Sequence, residues 1–343
     1  MSMIYFNDGG VYDPVHNISV TSVYVIDPEM LLPWKKIALP LNPSLAAAAS
    51  FDGSLYAFGH DANTSTATVV NTVTGEIAST PYNLSGGQTK GVGFGLNADL
   101  HIGSNPGITK IAPPYAVAVV SALPIGIQAF SVLPSGAKAI IVDFDSQAYV
   151  YDLTTLALGS PISLLVDGSE GVMPTSLQVS PDGSKFLLGS FFDEGKAFMV
   201  FNAVTGSYLG RTGISTDFVG MFLADSKRIA YRGSEYSTLQ VFDLATQSAA
   251  SISLGVLDND PPFSYGGDFT LEGMSDNDYA VMNNYGSIRL ISTADGSVRA
   301  TPRPNIKANG FATVQPLPAG PAPQVLTYFW SGFEKAYENP VVS

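Results

Sequence analysis

The chain has 343 residues and a mass of 36.0 kDa, more than one hydrophobic core holds unless repeated units pack mainly on their neighbours. Hydrophobic content of 45%, charged content of 13% and a mean hydropathy of +0.20 exclude a disordered chain. A net charge of −13, with only 16 basic residues and no run of them, excludes a phosphate-binding surface and hence a nucleic-acid partner, and zero cysteines exclude disulfides and thiolate chemistry.

The first residues lack the basic and apolar regions of a secretory signal, because Tyr5-Phe6-Asn7-Asp8-Gly9-Gly10 already reads as a turn. No apolar stretch approaches the roughly 20 residues that cross a bilayer. The expectation is a protein without a Sec signal or membrane insertion, virion-associated or cytoplasmic. Residues 3–7 read as a spare strand. Residues 23–27 and 34–39 then form a hairpin, within 20–40, that no inner strand precedes.

From residue 46 onward one unit recurs. An apolar strand enters a tight turn, a second strand follows, and a polar loop leads to a third strand that ends on Asp or Asn. A last turn then opens the fourth strand. The clearest copy runs from Ser180 to Arg211 and begins Ser180-Pro181-Asp182-Gly183. The first turn of each copy falls at Gly53, Ala98, Gly136, Gly183, Ser226, Asn277 and Gly320, at intervals from 38 residues (Ala98 to Gly136) to 51 (Ser226 to Asn277). Third strands such as Met199-Val200-Phe201-Asn202 and Gln240-Val241-Phe242-Asp243 end on side chains that bond backbone amides two residues on. Thr74-Gly75, Thr205-Gly206 and Asp295-Gly296 supply glycine for the next turn, and Pro113-Pro114 make that turn in the unit of Ala98. First strands at 46–50 and 91–95 are rich in small residues, as strands crowded around an axis must be.

Four short strands at a period of roughly 40–45 residues define a propeller blade. The expectation is therefore a single all-β domain over 1–343, a seven-bladed β-propeller of four-stranded antiparallel blades, its ring closed by strands from both termini. In that closure the hairpin of 20–40 completes a C-terminal blade whose inner strands are 311–317 and 324–330. An aromatic tail, 331–343, with Phe333 and Tyr337, follows as a cap or a docking segment.

The pattern resembles the WD40-like propellers, and more closely their YVTN-repeat branch, whose units read SPDG…L.V…V.D..TG. Residues 180–206 carry the match, 51–75 and 133–156 less fully. The resemblance implies a fold. The Trp-Asp dipeptide of WD40 repeats is absent and Gly-His occurs once, at Gly59-His60, so the His–Asp networks of that family do not transfer.

Alternating hairpins send two loop sets to one rim: those between second and third strands, and those between blades. The rim gathers Asp143, Asp145, Asp167, Glu170, Asp193, Glu194, Glu235, Asp258 and Asp260 with aromatic neighbours. Long loops on a rigid scaffold are where function sits, so the predicted binding residues are Phe191, Phe192, Asp193, Glu194, Glu235, Tyr236, Phe263, Tyr265 and Tyr285. Against this, acidic loops also serve simply to keep a protein soluble. Asp258, Asp260 and Asp268 offer the hard oxygen ligands Ca²⁺ takes, without the twelve-residue loop pattern, and the same residues form turns. No other cofactor is expected. His16, His60 and His101 have no serine tied to them and no Gly-x-Ser-x-Gly elbow, and read as structural.

The preferred reading is a non-enzymatic binding or assembly module with protein partners, as in a virion component such as a phage tail protein, or a cell-surface protein. The alternative is a propeller hydrolase or lactonase with a carboxylate-bound divalent cation at the axial channel.

Overall fold

The computed structural model describes residues 2–7, 11–13, 18–27, 32–39, 43–50, 52–60, 66–81, 89–105, 107–215, 220–223, 225–233, 238–253, 270–273, 279–284, 287–292, 297–300 and 313–316. Among them every element is a β-strand except one 3-10 turn, Leu96–Ala98. Near the N-terminus lie β1 (Ser2–Asn7), β2 (Val11–Asp13), β3 (Ile18–Asp27) and β4 (Leu32–Leu39). Six four-stranded antiparallel sheets follow, each formed by consecutive strands. The first holds β5 (Pro43–Ala49), β6 (Leu55–His60), β7 (Thr66–Asn71) and β8 (Ile77–Pro81). The second holds β9 (Gly91–Phe94), β10 (Leu100–Ser104), β11 (Gly107–Ile111) and β12 (Ala118–Ala122). The third holds β13 (Ala129–Val132), β14 (Lys138–Val142), β15 (Gln147–Asp152) and β16 (Ile162–Ser163). The fourth holds β17 (Gly171–Val179), β18 (Lys185–Phe192), β19 (Gly195–Asn202) and β20 (Tyr208–Arg211). The fifth holds β21 (Gly220–Phe222), β22 (Arg228–Arg232), β23 (Thr238–Asp243) and β24 (Ser248–Ser253). The sixth holds β25 (Thr270–Gly273), β26 (Tyr279–Asn284), β27 (Ser287–Ser292) and β28 (Val298–Ala300). A last strand, β29 (Thr313–Pro316), pairs with β1.

The turns explain why these residues fold this way. At every described copy of the first turn the repeat position is left-handed: φ is 68° at Gly53, 59° at Ala98, 69° at Gly136, 69° at Gly183 and 55° at Ser226. The conformation is what recurs, and glycine meets it without steric cost where Ala and Ser do not. Around it a serine and an aspartate close a small network. The Ser180 hydroxyl donates to Asp182 Oδ1 at 2.6 Å, and Ser184 donates its amide and hydroxyl to the same oxygen. Ser50, Asp52 and Ser54 repeat it atom for atom. Burial alone would raise both carboxyl pKa values, but these hydrogen bonds outweigh it and hold Asp52 and Asp182 below the ordinary carboxylate range.

The second turn repeats as well. Asn71, Asp152, Asn202 and Asp243 each accept, on one side-chain oxygen, the amides two and three residues on. The next amide then ties the two turns of a sheet together, as Thr72 donates to Ser54 O, Leu153 to Ala137 O, Ala203 to Ser184 O and Leu244 to Lys227 O. Bonds such as Asp182 N to Ser226 Oγ at 3.0 Å join one sheet to the next.

Packing lies between sheets. In β19 all of Ala197, Phe198, Met199, Val200 and Phe201 are buried, because a central strand has a neighbouring sheet on each face. Phe186 stacks on Phe201 at 5.1 Å within its sheet, and Phe198 meets Tyr231 of the next sheet at 6.1 Å. First strands come closest together. A Cβ on Gly91 would lie 1.9 Å from the Phe130 carbonyl oxygen, so β9 and β13 approach as near as they do only without that side chain.

One expectation is corrected. The sheet that takes strands from both ends of the chain was expected to draw two from each. Its observed order is β29, β1, β3, β4, with β2 pairing the start of β3, so it has five strands and residues 3–7 are not spare. The apolar run Met3-Ile4-Tyr5-Phe6 supplies the second strand, between β29 and β3. Residues 324–330 and 331–343, and the turns at Asn277 and Gly320, lie outside the described residues.

Asp182→Ala removes the acceptor of three hydrogen bonds. It is expected to cost about 1–2 kcal/mol in chemical denaturation. Because the folded carboxyl is depressed, the deficit should be complete above pH about 4 and shrink as pH falls through the folded pKa. A denaturation midpoint that does not move would show the backbone alone holds the turn.

Candidate functional site

The loops between second and third strands and those between sheets do meet on one rim, and Arg211 is where they meet. It ends β20, and its guanidinium lies 4.4 Å from the centre of the Phe192 ring. Arg211 Nε is 3.6 Å from Asp167 Oδ2, on the loop between sheets, and Nη1 is 3.3 Å from Glu194 Oε2, on the turn between β18 and β19. Tyr208 completes the group by donating its hydroxyl to Asp167 Oδ2 at 2.9 Å. Burial, and then the bond to Asp167, push the Tyr208 phenol up, so it stays protonated as that donor. The hydrogen bond from Arg211 holds the Glu194 carboxyl below its ordinary value. One cation thus fixes two loops over an aromatic floor, and both carboxylates remain exposed.

Of the predicted binding residues, Phe191, Phe192, Asp193 and Glu194 are described, and they divide. Adjacent strand residues point to opposite faces. Phe191 is 41% exposed, whereas Phe192 is 5% exposed and packs among Leu164, Leu188, Ala197 and Met199. Asp193 and Glu194 are both exposed at the turn. Glu235, Tyr236, Phe263, Tyr265 and Tyr285 lie outside the described residues, as do the candidate Ca²⁺ ligands Asp258, Asp260 and Asp268. Asp143 is buried and structural: its Oδ1 accepts the amides of Asp145 and Gln147, and its Oδ2 accepts the Tyr149 hydroxyl. Asp145, Asp167 and Glu170 are exposed on the rim.

Three apolar side chains on the same rim were missed: Phe144, Leu165 and Ile214 are all exposed. Ile214 lies against the turn of β18 and β19, its Cγ2 3.2 Å from where a Cβ of Gly195 would stand. Arg211 was missed too. It is a lone basic residue at the end of an outer strand, and its sequence neighbours carry no sign of the loops it joins. The rim therefore presents Phe144, Leu165, Phe191 and Ile214 among five exposed carboxylates, Asp145, Asp167, Glu170, Asp193 and Glu194.

Among the described residues no group of three or more His, Cys, Asp or Glu could hold a metal ion. His101 is buried on the second strand of its sheet, and burial pushes its pKa down to about 4, against the pull of Asp99 and with the push of Lys110. It is a neutral packing residue beside the Asp99–Lys110 ion pair.

No family model and no curated protein matches the chain. Among solved structures it is similar to the β-propeller domain of Cps50 (Swd1) from Myceliophteria thermophila, with a TM-score of 0.58 and 9% identity over 86% of this chain and 95% of that one. The fold is a β-propeller. Hydrazine synthase from Kuenenia stuttgartiensis is similar as well, with a TM-score of 0.55 and 13% identity over 74% of this chain and 78% of that one. Likeness at such identities is one of backbone architecture. The propeller expected from the repeats is found, and no repeat family is identified with it.

The depressed His101 carries a pH signature. Between about pH 6.5 and the folded value near 4 the unfolded chain binds a proton that the folded chain does not, so stability falls as pH drops through that window. His101→Gln is expected to flatten the part of the stability curve between pH 6.5 and 4 in thermal melts. A curve as steep as wild type would assign that slope to other groups.

Proposed function

We propose that this chain is a non-enzymatic binding or assembly module, a seven-bladed propeller whose acidic, aromatic rim docks a protein partner. The observation that carries this reading is the rim itself. Phe144, Leu165, Phe191 and Ile214 stand exposed among five carboxylates, and Arg211 pins the two loops that carry Asp167 and Glu194. Apolar anchors give an interface its affinity, and surrounding charges steer encounter and set orientation. The fitting partner is a protein surface with pockets for these side chains and Lys or Arg around them. A virion component such as a phage tail protein, or a cell-surface protein, is the setting we propose, since only 13% of residues are charged and assembled surfaces meet through apolar and aromatic groups.

Ring closure belongs to this reading. First strands neighbour one another in succession from β5 to β25, β29 lies beside both β25 and β5, and β29 pairs with β1. A closed ring hides the sheet edges that an open one exposes. Deleting residues 1–13 takes away the second strand of the closing sheet. It is expected to lower the melting temperature of the whole protein in one transition. An unchanged melt would break the closure reading.

The rim is tested by immobilising the chain and measuring retention of proteins from its source at low and high salt. Phe191→Ala is expected to weaken binding of the retained partner by about 1–3 kcal/mol with the melting temperature unmoved. Phe192→Ala should do the reverse and cost about 3 kcal/mol of stability, because its ring is core. Neutralising Asp193 and Glu194 should slow association, and raising salt from about 50 to about 500 mM should imitate that in part. Binding that survives Phe191→Ala and Phe144→Ala together would remove the rim from consideration.

A further inference from the structure

We propose that β12 is a self-association edge, where two copies of this chain pair antiparallel about a two-fold axis. Among the described residues β12 pairs only with β11, so its outer backbone row lies at the border of its sheet. Such a row of amides and carbonyls is a template for another strand unless it is blunted. Of the other six fourth strands described, five are blunted. β8 ends in Pro81, β16 has two residues, β20 ends in Arg211 after a register break, β28 carries Arg299, and β4 carries Pro33, Lys35 and Lys36. β24 is unblunted but reads Ser-Ala-Ala-Ser-Ile-Ser, with little apolar surface.

β12 has neither charge nor proline, and it is apolar on both faces. Val119 is 61% exposed, and Val117 and Val120, to either side of it, are exposed too. Adjacent valines on a strand face opposite ways, so both faces of this edge stand clear of the fold. β-branched residues directly opposite one another are favourable cross-strand pairs, and a two-fold axis through this segment sets valine against valine.

Charge decides the occupant. The chain carries −13, so two copies repel over most of their surfaces. Residues 111–137 contain no Asp, Glu, Lys, Arg or His, and β12 lies inside them. The nearest charge, Lys110 opposite Val119 on β11, is paired with Asp99, so a copy approaching here brings no unpaired like charge onto the strand, and its own β12 offers the matching backbone row and the same valines. An acidic or basic partner would gain nothing from a seam without charge. One short strand pair buries little area, so the dimer is weak and concentration-dependent.

The test is sedimentation equilibrium of the full chain from ~1 to ~100 µM, the range in which a small interface associates. The expected result is a monomer–dimer equilibrium that shifts toward dimer as salt rises, because salt screens the repulsion between copies and has no seam charge to weaken. Val119→Lys and Val120→Lys, at exposed positions, should each raise the dimer Kd at least tenfold with the melting temperature unchanged, whereas Ser251→Lys on β24 should leave it alone. If a lysine variant melts early, hydrogen exchange on wild type decides, since the amides of β12 should exchange more slowly at high protein concentration than at low. The proposal is overturned by a monomer throughout the range, by a dimer that resists both lysines, by one that responds to Ser251→Lys, by one that salt dissolves, or by exchange in β12 that ignores concentration.

Discussion

The bond that joins the two turns of each sheet is the constraint on which the architecture rests. An amide just past the turn-closing Asx residue donates to a carbonyl of the other turn, and it does so in four sheets: Thr72 to Ser54, Leu153 to Ala137, Ala203 to Ser184 and Leu244 to Lys227. Each donor follows an Asn or Asp whose own oxygen has collected the next two amides, so three successive amides of each turn have partners. With first and second hairpins tied at one end, the rotation of one relative to the other is fixed. Side chains between sheets can then pack against a surface that does not shift, as Phe198 packs against Tyr231.

That division leaves the two rims unlike each other. One is closed by short turns that hydrogen-bond within and between sheets, and it buries Ser50, Ser180 and Ser226. The other carries the longer loops, and there backbone bonds such as Glu170 N to Phe191 O are joined by a side chain that spans two loops. Arg211 reaches two loops and a ring at once, which is within the geometry of a guanidinium and beyond that of an ammonium. Its two ion pairs are solvent-exposed and contribute little stability. What they contribute is order: Asp167 and Glu194 are held apart at stated positions instead of sweeping the solvent, and a partner that meets them loses less side-chain entropy.

The repeat was legible because it is written in turn chemistry, which is local. Asp152, Asn202 and Asp243 mark the ends of third strands, and Gly53, Ala98, Gly136, Gly183 and Ser226 mark left-handed positions even where the residue is not glycine. The order of strands in the closing sheet was not legible, because β1 and β29 pair across some three hundred residues and period alone does not say which apolar run is second. The site was half legible. Loop order anticipated exposed loop positions for Asp145, Asp167, Glu170, Asp193 and Glu194, whereas Asp143 is buried and Glu235, Asp258 and Asp260 lie outside the described residues. Treating Phe191 and Phe192 as equivalent overlooked the alternation of a strand, which sends one of any two neighbours inward. Arg211 and Ile214 were illegible for another reason, since their partners come from other segments.

The rim and the border strand of the second sheet differ in the physics that governs them. The proposed rim interface would work through exposed carboxylates around apolar anchors, so its encounters would weaken as salt screens the field. The proposed border-strand dimer would work through backbone hydrogen bonding and valine contact within a stretch that carries no charge, so screening would help it by quieting the repulsion between two chains of −13. On these two proposals a basic partner and a second copy would meet separate surfaces under opposite ionic control. Neither surface needs the other to move, because the sheets that carry them are joined by packing and turn bonds and not by a hinge. Self-association on the border would double the number of rims per particle, and two linked rims raise the effective concentration of each for a partner that offers repeated sites.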